Sequence, residues 1–319
     1  MSALQPLRLP HRPRGQPVVP RSRTVLLVRP DQRDRGDGSG GRHPGATALR
    51  RHPRTTRPRT ERRVHVTSLN PVGAVVEGIR VDALDHATAN RLRVLLGEHG
   101  VLIMPGQDAD DDEFLRFLRS FGELMFTAGE TPVDGFADLN VISNVGRTAP
   151  PRSTFHVDTT YVRNPPAYTA LRAVEVPEQG GHTLFSNQYR AFDTLPEHVR
   201  HDLEGRVIEH VVTGVEVGED DETSATHPVL RPHPVTGRTA LFLTTPKRCA
   251  SVSGLAPQEA AATVEYLFEH STRDHNVTRH AWTAGDVVMW DNRCVMHKAD
   301  HSGVVGRRVM HRGMVADVA

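Results

Sequence analysis

Lysine is almost missing from this chain: Lys247 and Lys298 stand alone among 39 basic residues, and arginine supplies the other 37. That skew points to a GC-rich, bacterial genome. Cysteine is equally scarce. Cys249 and Cys294 are far apart and outside any CxxC or other short ligand spacing, which excludes a disulfide framework and a zinc knuckle and fits a reducing cytoplasm. Long apolar runs are lacking as well: Val25 to Val28, the longest near the N-terminus, is far shorter than a signal-peptide core or a membrane span. The pairs Arg50-Arg51 and Arg62-Arg63 therefore lack the hydrophobic segment of an export signal, and the chain reads as soluble, cytoplasmic and without a membrane partner.

Net charge, at +1, nearly vanishes, but the average hides two unlike parts. Residues 1–63 carry 16 arginines and 4 acids, whereas the remainder carries 23 basic and 34 acidic side chains. The first part holds 9 of the 23 prolines and shows no apolar period of 2 or 3.6. It cannot bury enough surface to offset the entropy of ordering and is expected to be a disordered Arg/Pro-rich extension. Scattered arginines without aromatics argue against nucleic acid as a partner, and prolines at 6, 10, 13, 17 and 20 forbid the amphipathic helix of a mitochondrial presequence. From Val64 the texture is that of one folded domain, expected over 64–319, and an apolar content of 37% suits a sizeable core.

Leu92, Leu95 and Leu96 form a helical stripe ended by Gly100, and a second helix opens with Asp110 and Glu113 at capping-box spacing before Phe114, Phe117, Leu118 and Phe121. A third helix is expected over Ala191 to Leu203 and a fourth from near Pro257, burying Val264, Leu267 and Phe268. Strands are expected at Val101–Met104, Leu139–Ser143, Phe155–Tyr161, Tyr168–Val174, Thr183–Ser186, Ala240–Thr244, Val287–Trp290 and Arg308–Val315. Many short strands without regular strand–helix alternation predict a mainly β fold with flanking helices, a sandwich or jelly roll.

In an extended Phe155-His156-Val157-Asp158-Thr159-Thr160 segment, residues i and i+2 project from one face, so His156 and Asp158 point together. An imidazole and a carboxylate from one strand, joined by a distant second imidazole, give the facial triad of iron(II) oxygenases with three coordination positions left for co-substrate and dioxygen. HxD alone arises readily by chance in a chain with 19 histidines, so its surroundings decide. His297, at the end of Trp290-Asp291-Asn292-Arg293-Cys294-Val295-Met296-His297, offers the third ligand. Further on, Arg308 and Arg312 fall on one face of a strand, about 13 Å apart at strand rise. Two inward guanidiniums would be costly unless they met anions; on an edge strand they would simply point to solvent.

These segments resemble the taurine dioxygenase (TauD/TfdA) family. FHVDTTY (155–161), PPAYTALRAVEVPEQGGHTLFSNQYRAFDTLP (165–196), HPVLRPHPVTGRTALFL (227–243), WDNRCVMHKA and RRVMHR appear in the family's order and cover essentially 64–319. The resemblance implies a double-stranded β-helix (jelly roll, clavaminate synthase-like) that uses Fe(II), 2-oxoglutarate and O2. His156, Asp158 and His297 would bind iron, and Thr183 and Arg308 would hold the distal carboxylate of 2-oxoglutarate. Arg312 would lie near the co-substrate and the anionic group of the prime substrate. By the same match Thr127, Glu130, Arg152 and Thr159 take substrate-facing places, while His227, His233, Asp291 and Arg293 take structural ones. Phe126-Thr127 replaces a family histidine and Arg152 an asparagine, which speaks against taurine itself.

The implied reaction hydroxylates an unactivated C–H bond of a small anionic or zwitterionic molecule and releases succinate and CO2; with Asp158 present as a ligand, halogenation is disfavoured. Relatives suggest a homo-oligomer. Two other classes fit parts of the pattern: a non-catalytic jelly-roll binding protein, and a metal-dependent hydrolase using the same triad. A dedicated dicarboxylate clamp at Thr183 and Arg308 separates the dioxygenase from both.

Overall fold

The computed structural model describes residues 64–317 apart from 128, 148–152, 215, 216 and 220; the expected extension over 1–63 lies outside them. Five α-helices occur among the described residues: α1 (His86–His99), α2 (Asp111–Arg119), α3 (Gln188–Asp193), α4 (Glu197–Leu203) and α5 (Pro257–Ser271). α1 stops where Gly100 takes φ 74° and returns its N–H to the Leu96 carbonyl. α2 starts with both halves of the expected capping box: Asp110 accepts from the Glu113 N–H and the Glu113 carboxylate from the Asp110 N–H, each at 2.9 Å. The single helix expected over 191–203 is two, because Pro196 has no N–H to continue the ladder and α4 restarts after it.

The principal sheet runs in the order His65–Ser68, Ala74–Glu77, Val101–Met104, Val287–Asp291, Pro166–Glu175, Val309–Ala316, Phe136–Ser143 and Pro132–Val133, with Leu124–Met125 also pairing to Val309–Ala316. Its pairings are antiparallel except that of Ala74–Glu77 with Val101–Met104. A second sheet sets Thr183–Asn187 between Val277–His280 and Val295–Ala299. The strand carrying Arg312 is interior, hydrogen-bonded on both sides, and Arg308 stands just before it and is buried, so the solvent-facing alternative for the two arginines does not hold.

Strand parity sorts the core. Tyr168, Ala170, Val287, Met289 and Val315 pack with Leu92, Leu96, Phe114 and Phe117 of α1 and α2. Residues of the opposite parity on the same strands, Leu171, Ala173, Val288, Trp290 and Met310, pack instead with Phe185 of the second sheet. Helices α3 to α5 cover that sheet's other face through Leu184 and Met296. Two facing sheets with helices outside make the expected jelly roll, and the side chains that carry the chemistry project into it from inward parity positions.

Two sequence expectations are corrected here. Ala240–Thr244 forms only the short strand Thr239–Leu241, in a hairpin with Leu230–Pro232. Phe155–Tyr161 is not a strand: His156 makes one isolated bridge to His297, and the chain then turns, with Thr159 at φ 48°. β-branched residues in this segment favour extension, but the turn overrides their local preference.

Candidate active site

That single bridge builds the metal-ligand set. The His156 N–H donates to the His297 carbonyl at 3.0 Å and the His297 N–H to the His156 carbonyl at 2.9 Å, so two residues 141 positions apart are locked opposite one another. Their rings lie 4.4 Å apart. His156 Nε2 is 3.5 Å and His297 Nε2 3.8 Å from Asp158 Oδ1, too long for a good hydrogen bond, and the ligand atoms of all three residues lie within 4.8 Å of one another. His156 Nδ1 donates to the Thr154 carbonyl at 2.8 Å, which fixes the tautomer and leaves the Nε2 lone pair outward. Burial pushes the His297 imidazole down to about 3, so it is neutral and able to ligate. Burial opposes ionisation of Asp158, yet its carboxyl is held well below the usual carboxylate range, with the Arg312 guanidinium the neighbouring charge that favours the anion.

Asp158 is aimed by a one-directional chain. The Trp290 indole, a donor only, gives its N–H to Asn292 Oδ1 at 3.1 Å; the Asn292 amide nitrogen therefore donates to Thr169 Oγ1 at 2.8 Å. With that lone pair used, the Thr169 hydroxyl donates to Asp158 Oδ2 at 2.8 Å. Oδ2 is occupied and Oδ1 is the oxygen that faces both imidazoles. Register makes the chain: Trp290 stands opposite Thr169 across neighbouring strands.

A second group of residues surrounds Arg308. Its guanidinium is 1% exposed, and no carboxylate among the described residues lies within 4 Å of it. Nε donates to the Gly181 carbonyl at 2.9 Å and Nη2 to Thr183 Oγ1 at 3.4 Å, while Trp282 also donates to Thr183 Oγ1 at 3.0 Å. Thr183 therefore accepts twice and its own O–H has no acceptor among the described residues. Gly181, at φ 69°, allows this approach, since a Cβ there would meet Arg308 Cδ at 3.0 Å. Burial lowers Arg308 to about 10, which leaves it charged at neutral pH. A buried cation and a hydroxyl donor without an anion cost several kcal/mol unless a carboxylate joins them, and a dicarboxylate co-substrate fits.

His156 and Asp158 line a cavity of about 340 Å³ together with Thr127, Glu130, Thr159, Tyr161 and Arg312. Thr159, a β-branched residue in the left-handed region, meets the Thr127 hydroxyl at 3.1 Å; such strain is typical of functional segments. Arg312 does not join the Arg308 group. It lies 3.2 Å from Glu130, 3.7 Å from Asp158 Oδ1 and within 3.4 Å of Asn140 Oδ1. Arg152 lies outside the described residues. His233, Asp291 and Arg293 form a separate buried network, with His233 2.9 Å and Arg293 2.6 Å from Asp291, and His227 donates to the Thr160 carbonyl at 2.8 Å. Sequence reasoning missed Thr169, Asn292, Trp282, Lys247 and Arg248, the last two on the cavity wall. The rarity of lysine was the one signal that could have marked Lys247.

Comparison with known proteins gives the class. The alpha-ketoglutarate-dependent 2,4-dichlorophenoxyacetate dioxygenase of Cupriavidus pinatubonensis is 31% identical over 280 residues, covering 79% of this chain and 97% of that protein. The alpha-ketoglutarate-dependent sulfate ester dioxygenase of Pseudomonas putida is 29% identical over 270 residues, covering 77% and 86%. The crystal structure of a taurine dioxygenase from Burkholderia xenovorans superposes with a TM-score of 0.70 at 29% identity, over 80% of this chain and 91% of that one. Fold and relatives define an alpha-ketoglutarate-dependent dioxygenase, a class that uses Fe(II), 2-oxoglutarate and O2. The family model for taurine catabolism dioxygenase TauD, TfdA family, matches residues 65–314, and the chain belongs to that family.

Proposed function

We propose that His156 Nε2, Asp158 Oδ1 and His297 Nε2 hold Fe(II), that Arg308 and Thr183 hold the distal carboxylate of 2-oxoglutarate, and that the adjoining cavity takes a small anionic or zwitterionic substrate. Bound iron and 2-oxoglutarate supply the oxidising power, with succinate and CO2 as co-products, for hydroxylation of an unactivated C–H bond. The protein's share is placement. The His156–His297 bridge fixes the ligand spacing, the Thr169 hydroxyl selects the Asp158 oxygen, and Arg308 orients the co-substrate from its far end. Thr127, Thr159 and Glu130 stand where they would touch the substrate, and Arg312 braces Asp158 and Glu130.

The observation that carries this reading is the buried Arg308 beside Thr183, with no carboxylate partner among the described residues, together with a His–Asp–His set whose ligand atoms lie within 4.8 Å of one another. A hydrolase or a bare binding module has no use for such a clamp. The proposed setting is the cytoplasm, supported by two unpaired cysteines and by the lack, among the described residues, of a helix long and apolar enough to cross a membrane; a homo-oligomer is proposed by analogy with relatives. The test is succinate formation in air: it is expected to require both Fe(II) and 2-oxoglutarate and to vanish in Asp158→Ala. Formation that persists without added metal in chelator-treated protein overturns the reading.

A further inference from the structure

Arg312 is compensated where it stands, between Glu130 at 3.2 Å and Asp158 Oδ1 at 3.7 Å, with Nε and Nη2 also donating to Asn140 Oδ1 at 3.4 and 3.3 Å. An arginine so engaged is poorly placed to seat a substrate anion, because any new anion must compete with, and is repelled by, the Glu130 carboxylate already in contact. The cavity has two other cations. Lys247 and Arg248 lie on its wall in the short 3-10 turn Pro246–Arg248, and neither has a carboxylate within 4 Å among the described residues.

This turn is tied to the metal-ligand segment. Thr244, fully buried, accepts from the Val157 N–H at 3.3 Å, and Val157 lies between His156 and Asp158. Lys247 is three residues further on and exposed. Arg248 is fixed rather than free: Nε donates to Thr213 Oγ1 at 3.1 Å and Nη2 to the Thr213 carbonyl at 3.2 Å, leaving Nη1 open. The cavity thus has a neutralised wall, Glu130 with Arg312, and an uncompensated cationic one, an adaptable ammonium beside an immobilised guanidinium.

Resting on the dioxygenase reading, we infer that Lys247 and Arg248 are the anion seat of the prime substrate: an organic monoanion whose carboxylate, sulfonate or sulfate docks there, with the C–H to be oxidised reaching back to the triad. Lys247 is then a specificity-determining residue. At about 340 Å³ the cavity suits a small molecule of this kind.

The experiment uses the anaerobic Fe(II) and 2-oxoglutarate complex of the full chain, whose weak visible charge-transfer band reports on the iron. It is titrated with 2-phenoxypropionate, hexanesulfonate and hexyl sulfate, and with the uncharged 2-phenoxyethanol and hexanol; comparison of the three anions shows which headgroup is preferred. At least one anion is expected to perturb the band saturably and the alcohols are not. Lys247→Glu is expected to weaken that anion about tenfold or more and Lys247→Arg to keep it within about threefold, with 2-oxoglutarate titrating as in the parent protein. Equal anion affinity in Lys247→Glu, equal response to the alcohols, or no response to any of the three anions overturns the inference while the dioxygenase reading stands. Failure of the band to form at all removes that reading and the inference with it.

Discussion

Thr169 decides which oxygen of Asp158 an ion can reach. Its hydroxyl accepts from Asn292 and so must give its hydrogen to Oδ2, leaving Oδ1 for the imidazoles' side. Partners of this kind tune metal affinity by one to two orders of magnitude. Thr169→Val, equal in shape but without the hydroxyl, is expected to raise the Kd for Mn(II) or Fe(II) about 10- to 100-fold, and Thr169→Ser to restore it, by competition titration. Unchanged metal affinity in Thr169→Val would show the chain to be packing alone. At this scale the ligands were legible because an imidazole and a carboxylate two residues apart are a local pattern. Thr169 and Asn292 were not, since only the register of two strands brings residues 123 apart within 2.8 Å. Arg312 was legible as an inward charge but not in its partner, because Glu130 comes from a loop.

At the level of elements, the strand Val309–Ala316 must serve two faces, and Gly313 shows how. It stands under α2, where an added Cβ would collide with the Leu118 side chain and come within 3.1 Å of Leu139. Gly313→Val is expected to lower stability by about 1–3 kcal/mol through overpacking. In urea melts Leu118→Ala should recover part of that loss, a non-additivity expected of neighbours. Strictly additive losses would place the fault elsewhere. Elements with strong local signals were readable: α1 from its leucine stripe and Gly100, α2 from its capping box, and the central strands from runs such as Val287-Val288-Met289-Trp290. Phe155–Tyr161 misled because its composition favours extension while the site imposes a turn at Thr159. Strands as short as Leu124–Met125 or as polar as Ser224–Pro228 carry too little period to be seen.

For the whole molecule, acid sensitivity should trace in part to His210. Its ring is fully buried, stacked on Phe242 at 5.8 Å, and neither nitrogen has a hydrogen-bond partner among the described residues. Burial, with a smaller push from His227, lowers it to about 3 from an ordinary value near 6.5. The unfolded chain therefore takes up a proton that the folded one refuses, and stability is lost as pH falls from about 6.5 toward 3. His210→Phe, which keeps a flat ring against Phe242, is expected to flatten the fall of Tm across that window. Parallel Tm profiles for the two proteins would contradict this. His227 and His270, also lowered by burial, act in the same direction. The division of charge, +12 over 1–63 and −11 beyond, was plain from composition, whereas the closing of two sheets over one inner face depends on pairings that no single segment encodes.

All of the chemistry assigned to this chain depends on one ion held by residues 156, 158 and 297 with a dicarboxylate reaching it from Arg308. The most direct measurement is the visible spectrum of anaerobic, Fe(II)-loaded protein titrated with 2-oxoglutarate. One equivalent is expected to produce a weak charge-transfer band, absent in His297→Ala and requiring far higher 2-oxoglutarate in Arg308→Leu. A folded, iron-loaded parent protein that develops no band, or a band unaffected in His297→Ala, would contradict the account.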